Sequence, residues 1–292
     1  MEMELVLERV YWDLRAYDKM FETAHEVRRI AAENIGKESL PYADATGYLA
    51  RALVGLHQPL EAQAAAREAI ALQRKLRGPG SAYEADSLSC LGDALRGTHC
   101  LQEAETVVRQ AVSILRKQTG NDSNEVAWAL NTLSIILENE NKVSEAEAVI
   151  REAIDIRKRI SPDQKQWPLA VHYERLGRAL LAYGDTNQWP QAEDALRKSL
   201  AIETAVLGPA HPALVHPDFS LAQLLEEEGR FSEASIHYRK SADLARITPA
   251  MSNEERAFYI LQFGKYLARR GENQESIEIC REAQALSPMP RQ

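Results

Sequence analysis

Three cysteines in 292 residues, Cys90, Cys100 and Cys280, are an odd number and stand in no CxxC spacing. They supply neither a disulfide framework nor a zinc knuckle, and the expectation is unpaired thiols in a reducing compartment. No apolar run approaches the ~20 residues that cross a bilayer as a helix. The opening Met1-Glu2-Met3-Glu4 lacks the basic and apolar segments of a signal peptide. A cytoplasmic location is expected. An excess of positive charge is missing too, since 43 acidic against 35 basic residues leave a net charge of −8. Nucleic acid and anionic membranes both require a basic footprint, so neither is expected as a partner. Glycine (14) and proline (12) are sparse beside abundant alanine, leucine, glutamate and arginine. That balance favours helix.

Catalytic patterns are absent as well. His25, His57, His99, His172, His211, His216 and His237 form no HExxH, no i,i+4 pair and no cluster with cysteine. His211 and His216 each precede a proline in one connector, which predicts extended loop backbone for both. There is no GxSxG and no phosphate loop, and Gly78-Pro79-Gly80 reads as a helix stop. Glu226-Glu227-Glu228 reads as a solvated helix end. The expectation is a protein that is not an enzyme and takes no cofactor and no metal.

What the chain does contain is one motif in six copies. A small residue recurs at Ala62, Ala104, Ala146, Ala192, Ala234 and Ser276, at intervals of 42, 42, 46, 42 and 42 residues. Five residues after each stands an arginine: Arg67, Arg109, Arg151, Arg197, Arg239 and Arg281. A fixed period of this length marks a repeat array, in which stacked units replace a central core. Within 101–118, Ala104, Val107, Val108, Ala111 and Ile114 form one stripe of an α-helix, here called helix B. Helix A before it repeats a large–small pattern: Leu91, Gly92 and Leu95 correspond to Leu133, Ser134 and Leu137, to Leu221, Ala222 and Leu225, and to Phe263, Gly264 and Leu267. Small residues where two helices cross let the backbones approach. Asn141, Gly229 and Gly271 mark the A–B turn, where a left-handed residue ends the helix.

These residues resemble a tetratricopeptide repeat, and the 42-residue period resembles the kinesin-light-chain-like form of it. LENENKVSEAEAVIREAIDIRKR, LEEEGRFSEASIHYRKSADL and Gly208-Pro209-Ala210-His211-Pro212 carry the likeness. It implies an all-α fold, an α-α superhelix of about six helix-turn-helix repeats over 41–288. The units fall at about 41–78, 83–120, 125–161, 168–208, 213–248 and 253–288. Residues 1–36 read as a degenerate helix B that caps the N-terminal end. The fourth repeat carries about three extra residues in its A–B turn, at 184–190. The sixth ends at Leu286-Ser287-Pro288 without a polar capping helix, so exposed apolar surface and self-association through Ile277 and Ile279 are one expectation.

The recurring arginine is assigned a packing role. Glutamate precedes it by four residues in Glu105–Arg109, Glu147–Arg151 and Glu193–Arg197, the favourable order for a helical ion pair. Function then falls to the face of helix A that the resemblance places in a concave groove. The candidate peptide-binding residues are Arg51, Asp93, Arg96, Trp128, Asn131, Arg178, Phe219 and Gln223. Arginines suit an acidic segment and the aromatics seat apolar side chains. Asn131 matches an asparagine that kinesin-light-chain-like repeats use against peptide ligands, whereas Gly47, Ser89, Glu174, Phe219 and Leu261 hold that position in the other copies. The expected activity is a scaffold for a protein or peptide partner. The alternatives are a ligand-responsive sensor and a self-assembling subunit.

Overall fold

The computed structural model describes residues 16–161, 167–183, 185–248 and 251–287. Helix α1 (Tyr17–Asn34) precedes six helix pairs. They are α2 (Leu40–Gly55) with α3 (Pro59–Arg77), α4 (Ala82–Gly97) with α5 (Leu101–Thr119), and α6 (Asn124–Asn139) with α7 (Val143–Ile160). Then follow α8 (Trp167–Tyr183) with α9 (Trp189–Leu207), α10 (Val215–Glu227) with α11 (Phe231–Ile247), and α12 (Asn253–Arg269) with α13 (Asn273–Leu286). No strand occurs among the described residues. The fold is all-α, of the α-α superhelix class. It divides into two compact units, Met1–Ile160 and Ser161–Gln292.

Each pair closes on the small residue of helix A. A Cβ placed on Gly92 would lie 2.1 Å from a Val108 methyl, and one on Gly177 would lie 2.6 Å from Leu196. The groove between helices is therefore filled by the partner's larger side chain. The A–B turn is a Schellman-type closure. The amides of Gln58, Cys100, Lys142, Arg230 and Glu272 donate to the carbonyls of Leu53, Leu95, Leu137, Leu225 and Leu267, five residues back. The left-handed residue just before each donor is Asn141, Gly229 or Gly271 as anticipated, but in the first two repeats it is a histidine, His57 (φ 57°) and His99 (φ 61°). Two of the seven histidines are thus turn residues.

Helix α1 keeps the register of a helix B. Its buried Met20, Ala24, Val27 and Ala31 lie 42 residues before the buried Ala62, Ala66, Ala69 and Gln73. The part of the expected cap at residues 1–15 lies outside the described residues, as do Gly184 and Pro288. The long turn of the fourth repeat folds as a 3-10 turn, Thr186–Gln188, with the Asp185 side chain accepting from the Asn187 amide at 2.9 Å.

One expectation needs correction. His216 is not in extended backbone: it sits in the first turn of α10, where Pro217 is tolerated because that turn's amides have no helical acceptor. His211 does stay in the connector, its Nδ1 accepting from the Ala213 amide at 3.2 Å. Gln284 and Ser287 stand at the positions held in α5 by the buried Val112 and Leu115. Ile277 remains about half exposed.

Candidate functional site

The repeated arginines face one another's repeats along the B helices. Arg67 pairs with Glu103 (2.7 Å), Arg109 with Glu145, Arg197 with Glu233 (3.2 Å) and Arg239 with Glu275 (2.8 Å). A second row runs beside it, Arg116 to Glu152 (2.6 Å) and Arg246 to Glu282 (2.7 Å). The expected pairs within one helix form too, Arg109–Glu105, Arg151–Glu147 and Arg197–Glu193. Each rung joins an arginine to a glutamate 36 residues on in the next repeat, so the motif works as a ladder between neighbouring repeats.

Lys142 and Arg109 hold the Glu105 carboxyl below the usual range, and Arg230 and Arg197 do the same to Glu193. A lowered carboxylate contributes stability that is present above its unfolded value, near ~4.3, and is lost as pH falls through the lowered one. Arg109→Ala is expected to cost about 0.5–1 kcal/mol, since these pairs are exposed and screened. Thermal unfolding at low and high salt checks it: the wild-type advantage should shrink in high salt, with partner binding unchanged.

In the first unit, the A-helix face is mostly closed on itself. Arg51 pairs with Asp86 of the next helix A and lies 5.9 Å from the Tyr48 ring centroid. Asp44, on the same stripe, takes two bonds from Arg77, at 2.7 and 2.8 Å. Asp93 accepts from Arg96 Nε and from Thr132 Oγ1, both at 3.3 Å. Arg51 and Asp93 thus link helices, Arg96 bonds within its own helix, and burial pushes the Cys90 thiol beside Arg51 up to about 12. Trp128 is half-buried under the Arg157 guanidinium, 5.6 Å from the ring centroid. Asn131, one turn on, is 6% exposed, and its Oδ1 has no hydrogen-bond partner among the described residues.

In the second unit, Arg178 is exposed and contacts Glu174 at 3.2 Å. Phe219 is half-buried within a group of rings, edge-on to Tyr259 (5.4 Å), Phe258 (5.6 Å) and Tyr238 (5.9 Å). Gln223, one turn further on, is exposed. His216 Nδ1 lies 2.6 Å from the Tyr259 hydroxyl. Phe258 stands on the helix-A stripe of the sixth repeat but is not one of the eight binding candidates named from the sequence. Its position on the same stripe of α12 was the available signal. Among the described residues no three His, Cys, Asp or Glu side chains converge on a metal position, and no helix is long and apolar enough to cross a membrane.

The tetratricopeptide repeat family profile matches residues 83–159 and 169–247. Among solved structures, BtubC (BKLC) of P. vanneervenii is 20% identical, with a TM-score of 0.62 over 81% of this chain and 93% of that one. The kinesin light chain nearly identical TPR-like repeats of P. anserina are 20% identical, with a TM-score of 0.56 over 68% and 92%. The apo form of RapI is 12% identical, with a TM-score of 0.65 over 98% and 97%. Identities this low carry the fold alone. The chain matches none of the curated proteins compared with it. Tetratricopeptide repeat proteins are in general non-enzymatic scaffolds that bind protein partners. With the profile spanning more than half of its length and kinesin-light-chain-like repeats among its structural neighbours, this chain belongs to the tetratricopeptide repeat family.

Proposed function

We propose that the chain is a non-enzymatic scaffold that binds a peptide segment of a partner protein on the A-helix face. The observation that carries this reading is the Asn131 amide. It is buried beside Trp128 on that face, and its oxygen lacks a donor among the described residues. Leaving such a group unpaired costs about 1–3 kcal/mol, which a donor on a bound segment offsets. A half-buried tryptophan one turn away supplies the apolar contact on which interface energy concentrates. The Arg51–Asp86 ion pair and the Thr132–Asp93 hydrogen bond tie together the helices that frame this position. The three unpaired cysteines support a reducing, cytoplasmic setting.

The test is affinity capture followed by titration calorimetry with the purified partner. Asn131→Ala and Trp128→Ala are each expected to weaken binding tenfold or more, with thermal unfolding followed alongside. A partner that binds both variants as tightly as the wild type overturns the reading.

A further inference from the structure

Within each unit, one joint between neighbouring repeats is closed at its turn edge by a linked set of charges. Between the second and third repeats the set is Glu105, Arg109, Glu140, Lys142 and Glu145. Glu105 accepts from Arg109 Nη2 at 2.8 Å and from Lys142 Nζ at 2.7 Å. Lys142 also pairs with Glu140 at 2.9 Å, and Arg109 reaches across to Glu145. Between the fourth and fifth repeats the same positions hold Glu193, Arg197, Glu228, Arg230 and Glu233. Arg230 pairs with Glu193 at 2.8 Å and with Glu228 at 2.9 Å, while Arg197 pairs with Glu193 at 2.7 Å and with Glu233 at 3.2 Å.

The other joint of each unit is built differently. Gln63, Thr98 and Cys100 replace three of these charges between the first and second repeats, and Ser235, Arg270 and Glu272 stand there between the fifth and sixth. The rungs Arg67–Glu103 and Arg239–Glu275 are exposed pairs, which contribute little. Neutral contacts close these edges instead. Gln63 Nε2 donates to Thr98 Oγ1 at 2.8 Å and to the Ala94 carbonyl at 3.3 Å, and a Cβ on Gly97 would meet Pro59 at 3.0 Å. The Tyr266 hydroxyl donates to the Phe231 carbonyl at 2.6 Å, with the Tyr238 ring 4.8 Å from its own. At the joint of the second and third repeats, by contrast, a cleft of about 590 Å³ lies between the two turns, with His99, Cys100 and Gln102 on one side and Glu140 and Lys142 on the other.

We propose that the two charge sets are latches, a salt-sensitive device through which ionic strength opens one joint of each unit and leaves the other closed. Glu105 and Glu193, on which the sets are built, are only 17% and 19% exposed, so closure holds both carboxylates partly out of water. A network around such a group outweighs isolated surface pairs. The screening length falls from ~30 Å at ~0.01 M salt to ~3 Å at ~1 M. High salt therefore weakens the charged joints and spares the neutral ones, and the least stable joint opens first. The latches lie on the B helices and turns, so the device stands whether or not the A-helix face binds a partner.

Ile136 reports on the joint of the second and third repeats. It is fully buried, with its Cδ1 3.6 Å from the Cβ position of Gly92 in the preceding repeat. Ala94 and Leu224 hold the same register in the second and fifth repeats and are buried too. Ile136→Cys, Leu224→Cys and Ala94→Cys are made singly in a full chain that also carries Cys100→Ser and Cys280→Ser. Thiol trapping by an aromatic disulfide is timed at ~0.01 M and ~1 M sodium chloride, with the parent chain and its buried Cys90 as the blank. Each rate is divided by that of the same chain unfolded in urea at the same salt. High salt is expected to speed trapping roughly fivefold or more at positions 136 and 224, and less than about twofold at position 94. Adding Glu105→Gln should speed position 136 at low salt, and Glu193→Gln should do so at position 224. If Ile136→Cys fails to fold, Leu224→Cys tests the same latch in the other unit. Equal acceleration at all three positions, or no salt effect at 136 and 224, overturns the device. So does a Glu105→Gln or Glu193→Gln chain whose joint is trapped no faster than before.

Discussion

Gly92→Ala is expected to lower the unfolding free energy by about 1–3 kcal/mol. In an exposed helix interior the same change gains about 1 kcal/mol, so the predicted sign is reversed. The reason is distance. The added Cβ falls 2.1 Å from Val108 Cγ2, 3.4 Å from the Ala104 carbonyl and 3.6 Å from Ile136 Cδ1. Val108 is fully buried and β-branched, so its methyl has no second rotamer to retreat into. Helices α4 and α5 must separate instead. The first repeat already contains a solution, because Ala50 and Ala66 occupy the equivalent positions 42 residues earlier, and both are fully buried. Val108→Ala alone leaves a cavity, whereas the double variant recreates the Ala–Ala crossing. The two losses should therefore couple by about 0.5–3 kcal/mol. Urea unfolding of the four chains measures this directly, and strictly additive losses would show that this crossing is not where the helices meet.

The same comparison shows what the sequence made legible and what it did not. Period and small-residue register sufficed for the helix pairs, because Gly92, Gly177 and Gly264 each mark a backbone approach that any larger side chain blocks. The turn was legible at Asn141, Gly229 and Gly271. It was hidden at His57 and His99, whose composition gives no sign that they adopt positive φ. The inter-repeat ladder was invisible for a geometric reason: Glu103 and Glu145 lie 36 residues beyond their arginines, a relation that exists only once stacking is known. Helix A suffered from the same limit. A 3.6-residue period shows that Arg51 and Asp86 share a stripe, but not that adjacent repeats bring them together as an ion pair. Arg51 and Asp93 therefore read from sequence as open ligand contacts, while the structure ties each to a neighbouring helix. The group of rings was legible through Phe219 and Phe258, which stand on the helix-A stripe, and hidden at Tyr238, which comes from α11.

Asp218→Leu is expected to destabilise the second unit by about 3 kcal/mol, the low end of what breaking a buried ion pair costs. Asp218 is fully buried in the first turn of α10, where a helix N-terminus favours negative charge. Its two oxygens are engaged from α11, by His237 Nδ1 at 2.7 Å and Lys240 Nζ at 2.8 Å. The leucine strands two donors, but Lys240 and, to a lesser extent, His237 already reach solvent. That keeps the cost below the figure for a sealed charge. Lys240→Met is the harsher test of the same pair, because it leaves the carboxylate buried with only the histidine to answer it. Asp218→Asn should cost less than either, since the amide oxygen still accepts one bond. The expected order of urea midpoints is therefore wild type highest, then Asp218→Asn, then Asp218→Leu and Lys240→Met, with the denaturant slope unchanged. Phe219 follows Asp218 directly, so a loosened α10 also moves the ring that backs Phe258. If Asp218→Leu unfolds at the wild-type midpoint, α10 is held by apolar packing alone and the buried pair contributes nothing to the position of Phe219.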